Sequence, residues 1–151
     1  ARGAEEAEAL KEAGIDYEIV PGVTAASGAA AAGGDFLTAR GRNDTIVLTT
    51  GTHADGTSTP DWLQHLRSKS RVAVYMGINT ASDIESTLQD LGIADQVDVT
   101  IVHNAQTDDE KIVNCAGDAL VTTLQTSQIE NKAILFLDMK DTAAPSIAIV
   151  A

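Results

Sequence analysis

Cysteine is almost missing from this chain: Cys115 stands alone among 151 residues. One thiol cannot close an internal disulfide, so the fold must rest on its core, and a cytoplasmic setting is expected. Aromatic residues make up 3% of the chain. The one tryptophan, Trp62, reads as a packing anchor rather than a stacking platform. Basic residues are scarce, 10 against 22 acidic, for a formal charge of −12. That balance argues against a nucleic-acid partner, which must neutralise phosphates, and against an anionic membrane surface. No apolar run nears the roughly 20 residues of a membrane helix. Arg2, Glu5 and Glu6 stand where a secretory leader would need its apolar stretch.

Chemical signatures are as scarce. The chain has no Walker loop, no G-x-G-x-x-G and no nucleophile elbow. His53, His65 and His103 lack a partner three or four residues away, so no metal site is expected. Cys115 reads as a small buried residue rather than a nucleophile. Asp108, Asp109 and Glu110 read as a solvated acidic turn.

What is there is one domain's length of chain, 44% hydrophobic, with α/β punctuation. Residues 3–13 form a run of good helix formers stopped by Gly14. Tyr17–Val20 reads as a short strand closed by Pro21-Gly22. Thr24 can cap an alanine-rich helix that runs to Ala32 and ends at Gly33-Gly34. The β-branched run Thr45–Thr50 predicts a strand, 51–59 a loop, and Asp61–Ser68 a helix begun by Pro60. Val72–Met76 is the next strand; the following helix, offered caps by Asn79, Thr80 and Ser82, sets Ile84, Leu88 and Leu91 on one face. Val97–Val102 is a strand, 111–114 a short edge strand, 118–125 a helix and 133–137 a strand, with another predicted at 146–150. This alternation predicts an α/β sandwich on a mostly parallel or mixed sheet. The chain opens within the body of a helix, without Met or cap, so its native start is expected upstream.

Four strings carry a resemblance when read together: Arg2-Gly-Ala-Glu-Glu-Ala-Glu-Ala-Leu, Val20-Pro-Gly-Val-Thr-Ala-Ala-Ser-Gly, Val74-Tyr-Met-Gly-Ile-Asn and Ile101-Val-His-Asn-Ala. They resemble the R-G-G-E-E-A-E-A-L, V-P-G-V/I-T-A-A-S-G, Y-M-G and V-E-N-G/A strings of the tetrapyrrole (corrin/porphyrin) methylases. Within these they are most similar to the uroporphyrinogen-III C-methyltransferases, including the methylase module of sirohaem synthases. The likeness covers residues 1 to about 125.

The resemblance implies an S-adenosylmethionine-dependent C-methyltransferase acting on a tetrapyrrole, with precorrin-2 as product, and a homodimer. It implies two α/β domains with S-adenosyl-L-methionine in the cleft between them. Residues 1–33 would end the first domain and supply the connecting helix. Residues 34–151 would form the C-terminal domain, a mixed sheet flanked by helices. The glycine-rich loop and the acid and base groups of the family would lie upstream, so the chain alone is expected to be inactive and its catalytic residues are not named. Carried over by position, the cofactor contacts would be Thr24, Ala25, Met76 and Ala105. Thr24 would offer a helix N-terminus, Ala25 close backbone approach, Met76 a thioether for the adenine face, and Ala105 a backbone edge. Both Met76 and Ala105 end strands, where ligands of open α/β sheets collect.

Departures mark a divergent member. L-T-H-R is here Leu37-Thr-Ala-Arg, V-E-N is Val102-His-Asn, a G-T pair is Cys115-Ala116, and a final glycine-containing strand is Leu135-Phe-Leu-Asp-Met. The absent histidine gives weight to a methylase of a later corrinoid precursor. The departures at Ala39, His103 and Asp138 give weight to a non-catalytic binding or regulatory domain that keeps the fold.

Overall fold

The structure is a computed structural model and describes residues 3–52, 62–67 and 70–140. Its elements in order are α1 (Gly3–Glu12), α2 (Ala25–Ala32), β1 (Ile46–Thr50), α3 (Trp62–Arg67), β2 (Arg71–Tyr75), α4 (Ala81–Asp90), β3 (Val97–His103), β4 (Lys111–Ala116), α5 (Leu120–Thr126) and β5 (Ala133–Met139). Short 3₁₀ turns precede β3 and α5.

The five strands form one mixed sheet in the order β1-β2-β5-β3-β4. β1 and β2 run parallel, and every other pairing is antiparallel. β5, the last of the described strands in sequence, enters between β2 and β3. That central place explains its unbroken apolar run, because a strand covered on both faces needs no polar side. Its first five residues are all buried. β4 lies at the edge and carries exposed Lys111 and Asn114, which discourage further pairing.

One sheet face meets α3, α4 and α5 through Val72, Val74, Val99, Ile101, Leu135 and Leu137, with Leu66, Ile84, Leu88, Leu120 and Leu124 from the helices. Trp62 is buried in this cluster, as a packing anchor should be. The opposite face is covered by α2, whose Ala26, Ala29 and Ala30 lie on Ala73, Val102, Ile134 and Phe136. Alanines let this short helix sit close to the sheet. It ends in a Schellman motif: Gly34 (φ 64) turns the chain, and Asp35 N–H donates to Ala30 C=O.

At the far end of the α2 face lies a buried cation. The Arg71 side chain is 3% exposed, and its Nε lies 3.1 and 3.0 Å from the two Asp138 oxygens. Its Nη2 reaches Asp138 at 2.9 Å and Asp35 at 2.6 Å. Its Nη1 donates to Phe36 C=O at 2.5 Å, and the guanidinium sits 5.1 Å from the Phe136 ring centroid. Partial burial pushes the Asp35 carboxyl up, but the Phe36 N–H, Arg71 and Arg42 outweigh it and hold its pKa below the ordinary value. Burial lowers the Arg71 pKa, and Asp138 and Asp35 more than restore it. The departure at Asp138 therefore has a structural partner.

Three expectations change. Tyr17–Val20 is not a strand: it pairs with nothing among the described residues, and Tyr17, Ile19 and Val20 are exposed. β-branched residues favour extended backbone, but a strand exists only beside a partner. Leu91 does not continue the buried stripe of α4; it is the C-cap, and Gly92 (φ 64) turns the chain so that Ile93 packs back on the core instead. Thr24 and Thr80 are N-caps by position, but neither hydroxyl makes a capping bond. The predicted helix start at Pro60-Asp61, the loop after Thr52 and the strand at 146–150 lie outside the described residues. Among those residues no helix is long and apolar enough to cross a membrane.

Candidate functional site

A cleft of about 570 Å³ opens where β2 and β3 end, between the first turn of α2 and the approach to β5. Ala25, Met76 and Ala105, which the family resemblance carries over from three distant stretches of sequence, all line it. Its floor is apolar, built from Val102, Ala133, Ile134 and Ile78, with Asn79, Asn104 and Asn131 around the rim. An apolar slot ringed by amides suits a flat heteroaromatic ligand with hydrogen-bonding edges.

The backbone around the cleft is unusual. Met76 (φ 55), Asn104 (φ 48) and Lys132 (φ 51) are non-glycine residues in the left-handed region, and all three line the cleft. Such positions cost about 1–3 kcal/mol each and gather where a ligand is held. Behind Met76 the packing is tight: a Cβ added at Gly77 would lie 2.7 Å from Leu135 Cδ1. The turn at Met76 leaves its side chain 56% exposed at the cleft rather than in the core. Thr52 Oγ1 approaches its sulfur at 3.9 Å.

At the end of β3, Asn104 N–H donates to Lys132 C=O at 3.0 Å, joining the two sides of the mouth. Gln106 Nε2 reaches Gly28 C=O at 3.5 Å, linking the β3–β4 connection to α2. The acidic turn is as expected: Glu110 folds back to accept from Gln106 N–H at 2.7 Å. The Ala105 backbone N–H and C=O make no hydrogen bond among the described residues, so both are open to a ligand edge. The Ala25 N–H, at the start of α2, is equally open.

Thr24 is placed differently from expectation. It adjoins the cleft without lining it, and its hydroxyl is engaged by the Tyr75 hydroxyl, which also accepts from Ala26 N–H at 3.0 Å. Thr24 therefore reaches a ligand through the helix start it anchors. Tyr75, Asn104 and Lys132 were not singled out from the sequence; left-handed backbone at Asn104 and Lys132 and a contact 51 residues away at Tyr75 leave no local pattern.

Elsewhere, burial pushes the Cys115 thiol up; the Thr123 hydrogen bond pulls it back only partly, and Glu85, Asp118 and Asp98 add to the rise. It is a poor nucleophile at neutral pH. No three His, Cys, Asp or Glu side chains among the described residues come together to hold a metal; His53 lies outside them.

An open mixed α/β sheet with a cleft at its strand ends defines the class of the domain. The tetrapyrrole (corrin/porphyrin) methylase family model matches residues 1–121. The chain belongs to that family. A siroheme synthase of Chromobacterium violaceum is 35% identical over 136 residues, 90% of this chain and 29% of that protein. Siroheme synthase 1 of Klebsiella pneumoniae is 34% identical over 149 residues, 99% of this chain and 28% of that protein. Among solved structures, a cobalt precorrin-4 methyltransferase of cobalamin biosynthesis superposes with a TM-score of 0.77 at 28% identity, over 89% of this chain and 57% of that one. The uroporphyrin-III C-methyltransferase of Thermus thermophilus, complexed with S-adenosylhomocysteine, gives 0.74 at 25% identity, over 91% and 59%. The chain thus spans 28–29% of the length of these curated relatives.

Proposed function

We propose that this chain is the donor-binding part of an S-adenosylmethionine-dependent C-methyltransferase that methylates a uroporphyrinogen-III-type tetrapyrrole, forming precorrin-2. The observation that carries this reading is the convergence of Ala25, Met76 and Ala105 on one cleft at the strand ends. That the Thermus thermophilus neighbour was solved with S-adenosylhomocysteine supports the same ligand class. In this reading Met76 packs on the adenine, Ala105 presents its open backbone to the adenine edge, Ala25 offers its N–H, and Thr24 fixes the helix that carries it. When bound, the donor would supply an electrophilic methyl group: its carbon would pass to a ring carbon as the bond to sulfur breaks, leaving S-adenosylhomocysteine and a proton lost from the tetrapyrrole. The chain's own part is orientation and exclusion of water.

Residues 1–33 would close a preceding methylase domain and lead into the domain 34–151, the active protein being a homodimer. The exposed apolar side chains of Ile15, Ile19, Val20 and Val23 support a covering domain. The chain by itself would then lack methyl transfer. Methylation of a later corrinoid precursor is the second reading. It is favoured by Ala39 where related strings carry histidine, and by the likeness to a cobalt precorrin-4 methyltransferase.

The test supplies donor labelled in its methyl group and uroporphyrinogen III to the protein as the cell makes it and to residues 1–151 alone. Label in the tetrapyrrole with the first and not the second is the expected result. Label only with a corrinoid acceptor would favour the second reading. Donor binding without transfer to either acceptor would point to a non-catalytic domain.

A further inference from the structure

We propose that Tyr75 is the positioning residue of the cleft: its hydroxyl ties the start of α2 to the end of β2 and so sets how tightly the methyl donor is held. This rests on the reading of the cleft as a donor site. α2 carries Ala25 and β2 leads into Met76, so a ligand touching both is gripped only if helix and strand are held at a fixed separation.

The helix needs such a tether. α2 has eight residues, its N-cap threonine makes no capping bond, and there is no acidic residue in its first turn. Helices this short are marginal without tertiary support. The Tyr75 oxygen takes the place of the missing cap, accepting from Ala26 N–H at 3.0 Å while bonded to the Thr24 hydroxyl. Both bonds are partly buried, so water replaces them poorly. The Tyr75 ring also lines the cleft, so one side chain forms the wall and fixes the opposite jaw. The next residue, Met76, sits in a left-handed turn and also lines the cleft.

S-adenosylhomocysteine is titrated calorimetrically into the protein as the cell makes it, and into Tyr75→Phe, Thr24→Val, Thr24→Ser and the Phe/Val double variant. Folding of each is checked by circular dichroism and its melting temperature is recorded. Tyr75→Phe keeps the ring and removes only the tether, and should weaken binding about tenfold, the worth of one or two such bonds. Thr24→Val should weaken it comparably, Thr24→Ser should stay within about threefold of the parent, and the double variant should be little worse than Tyr75→Phe. A fall in melting temperature with unchanged affinity would reduce Tyr75 to a structural role and overturn the proposal. So would a double variant whose loss is the product of the two single losses. If Tyr75→Phe does not fold, unchanged affinity in Thr24→Val overturns it in the same way. A parent that does not bind S-adenosylhomocysteine would instead overturn the donor-site reading, and this inference with it.

Discussion

Replacing Arg71 by methionine should be among the most damaging changes available outside the apolar core. The guanidinium is 3% exposed and holds Asp138, itself 16% exposed, through contacts at 3.1, 3.0 and 2.9 Å. It also restrains the chain after α2 through Asp35 and the Phe36 carbonyl. Methionine fills similar space but leaves the Asp138 carboxylate without its partner. Breaking a buried pair from one side costs about 3–5 kcal/mol. That is a large part of the ~5–15 kcal/mol by which a domain is stable. At a urea slope near 2 kcal/mol/M, the unfolding midpoint should fall by about 1.5–2.5 M. The assay is urea unfolding followed by circular dichroism. Arg71→Met combined with Asp138→Leu removes both charges and should recover most of the loss, because apolar replacement of a buried pair is often nearly neutral. A single variant within about 1 kcal/mol of the parent, or a double variant no better than the single, would refute the reasoning.

Asp35 has a lowered folded pKa, so the stability it contributes is present above the ordinary aspartate value near ~3.9 and is lost as pH falls through its lower folded value. Its side chain is 41% exposed, so Asp35→Asn should cost under about 1 kcal/mol at neutral pH. The urea midpoints of parent and variant should converge as pH falls below the ordinary aspartate range and through the lowered pKa of that carboxyl. Cys115, with its thiol pushed up, should react with iodoacetamide more slowly in the folded protein than in urea at every pH from about 7 to 9, read by mass spectrometry. Gly77→Ala would drive a Cβ to 2.7 Å from Leu135 Cδ1 in a fully buried neighbourhood, and should cost about 1–3 kcal/mol by the same urea assay.

Local chemistry made much of this fold legible before any coordinates. Ala133–Leu137, read as a strand, is apolar at every position, as suits β5 covered on both faces. The ends of α2 and α4 followed from Gly34 and Gly92. The sequence did not announce that β5 inserts between β2 and β3, since strand order is set by packing that no local window contains. Tyr17–Val20 misled because its residues suit a strand while no neighbour lies beside them. At the cleft, the positions of Ala25, Met76 and Ala105 came from resemblance, and the coordinates bring them to one place. Thr24 adjoins the cleft with its hydroxyl bonded to Tyr75, a partner visible only in three dimensions.

If the cleft holds the methyl donor, Met76 faces it. The chain has two methionines, Met76 exposed at the cleft and Met139 at the far end of β5. The direct measurement is a carbon–proton spectrum of the protein as the cell makes it, labelled in its methionine methyl groups, with S-adenosylhomocysteine added stepwise and the Met76 signal assigned through Met76→Leu. The Met76 signal should move, saturating at one ligand per chain as the adenine ring passes over it, while Met139 stays in place. A Met76 signal that does not move while calorimetry shows the ligand bound would contradict it.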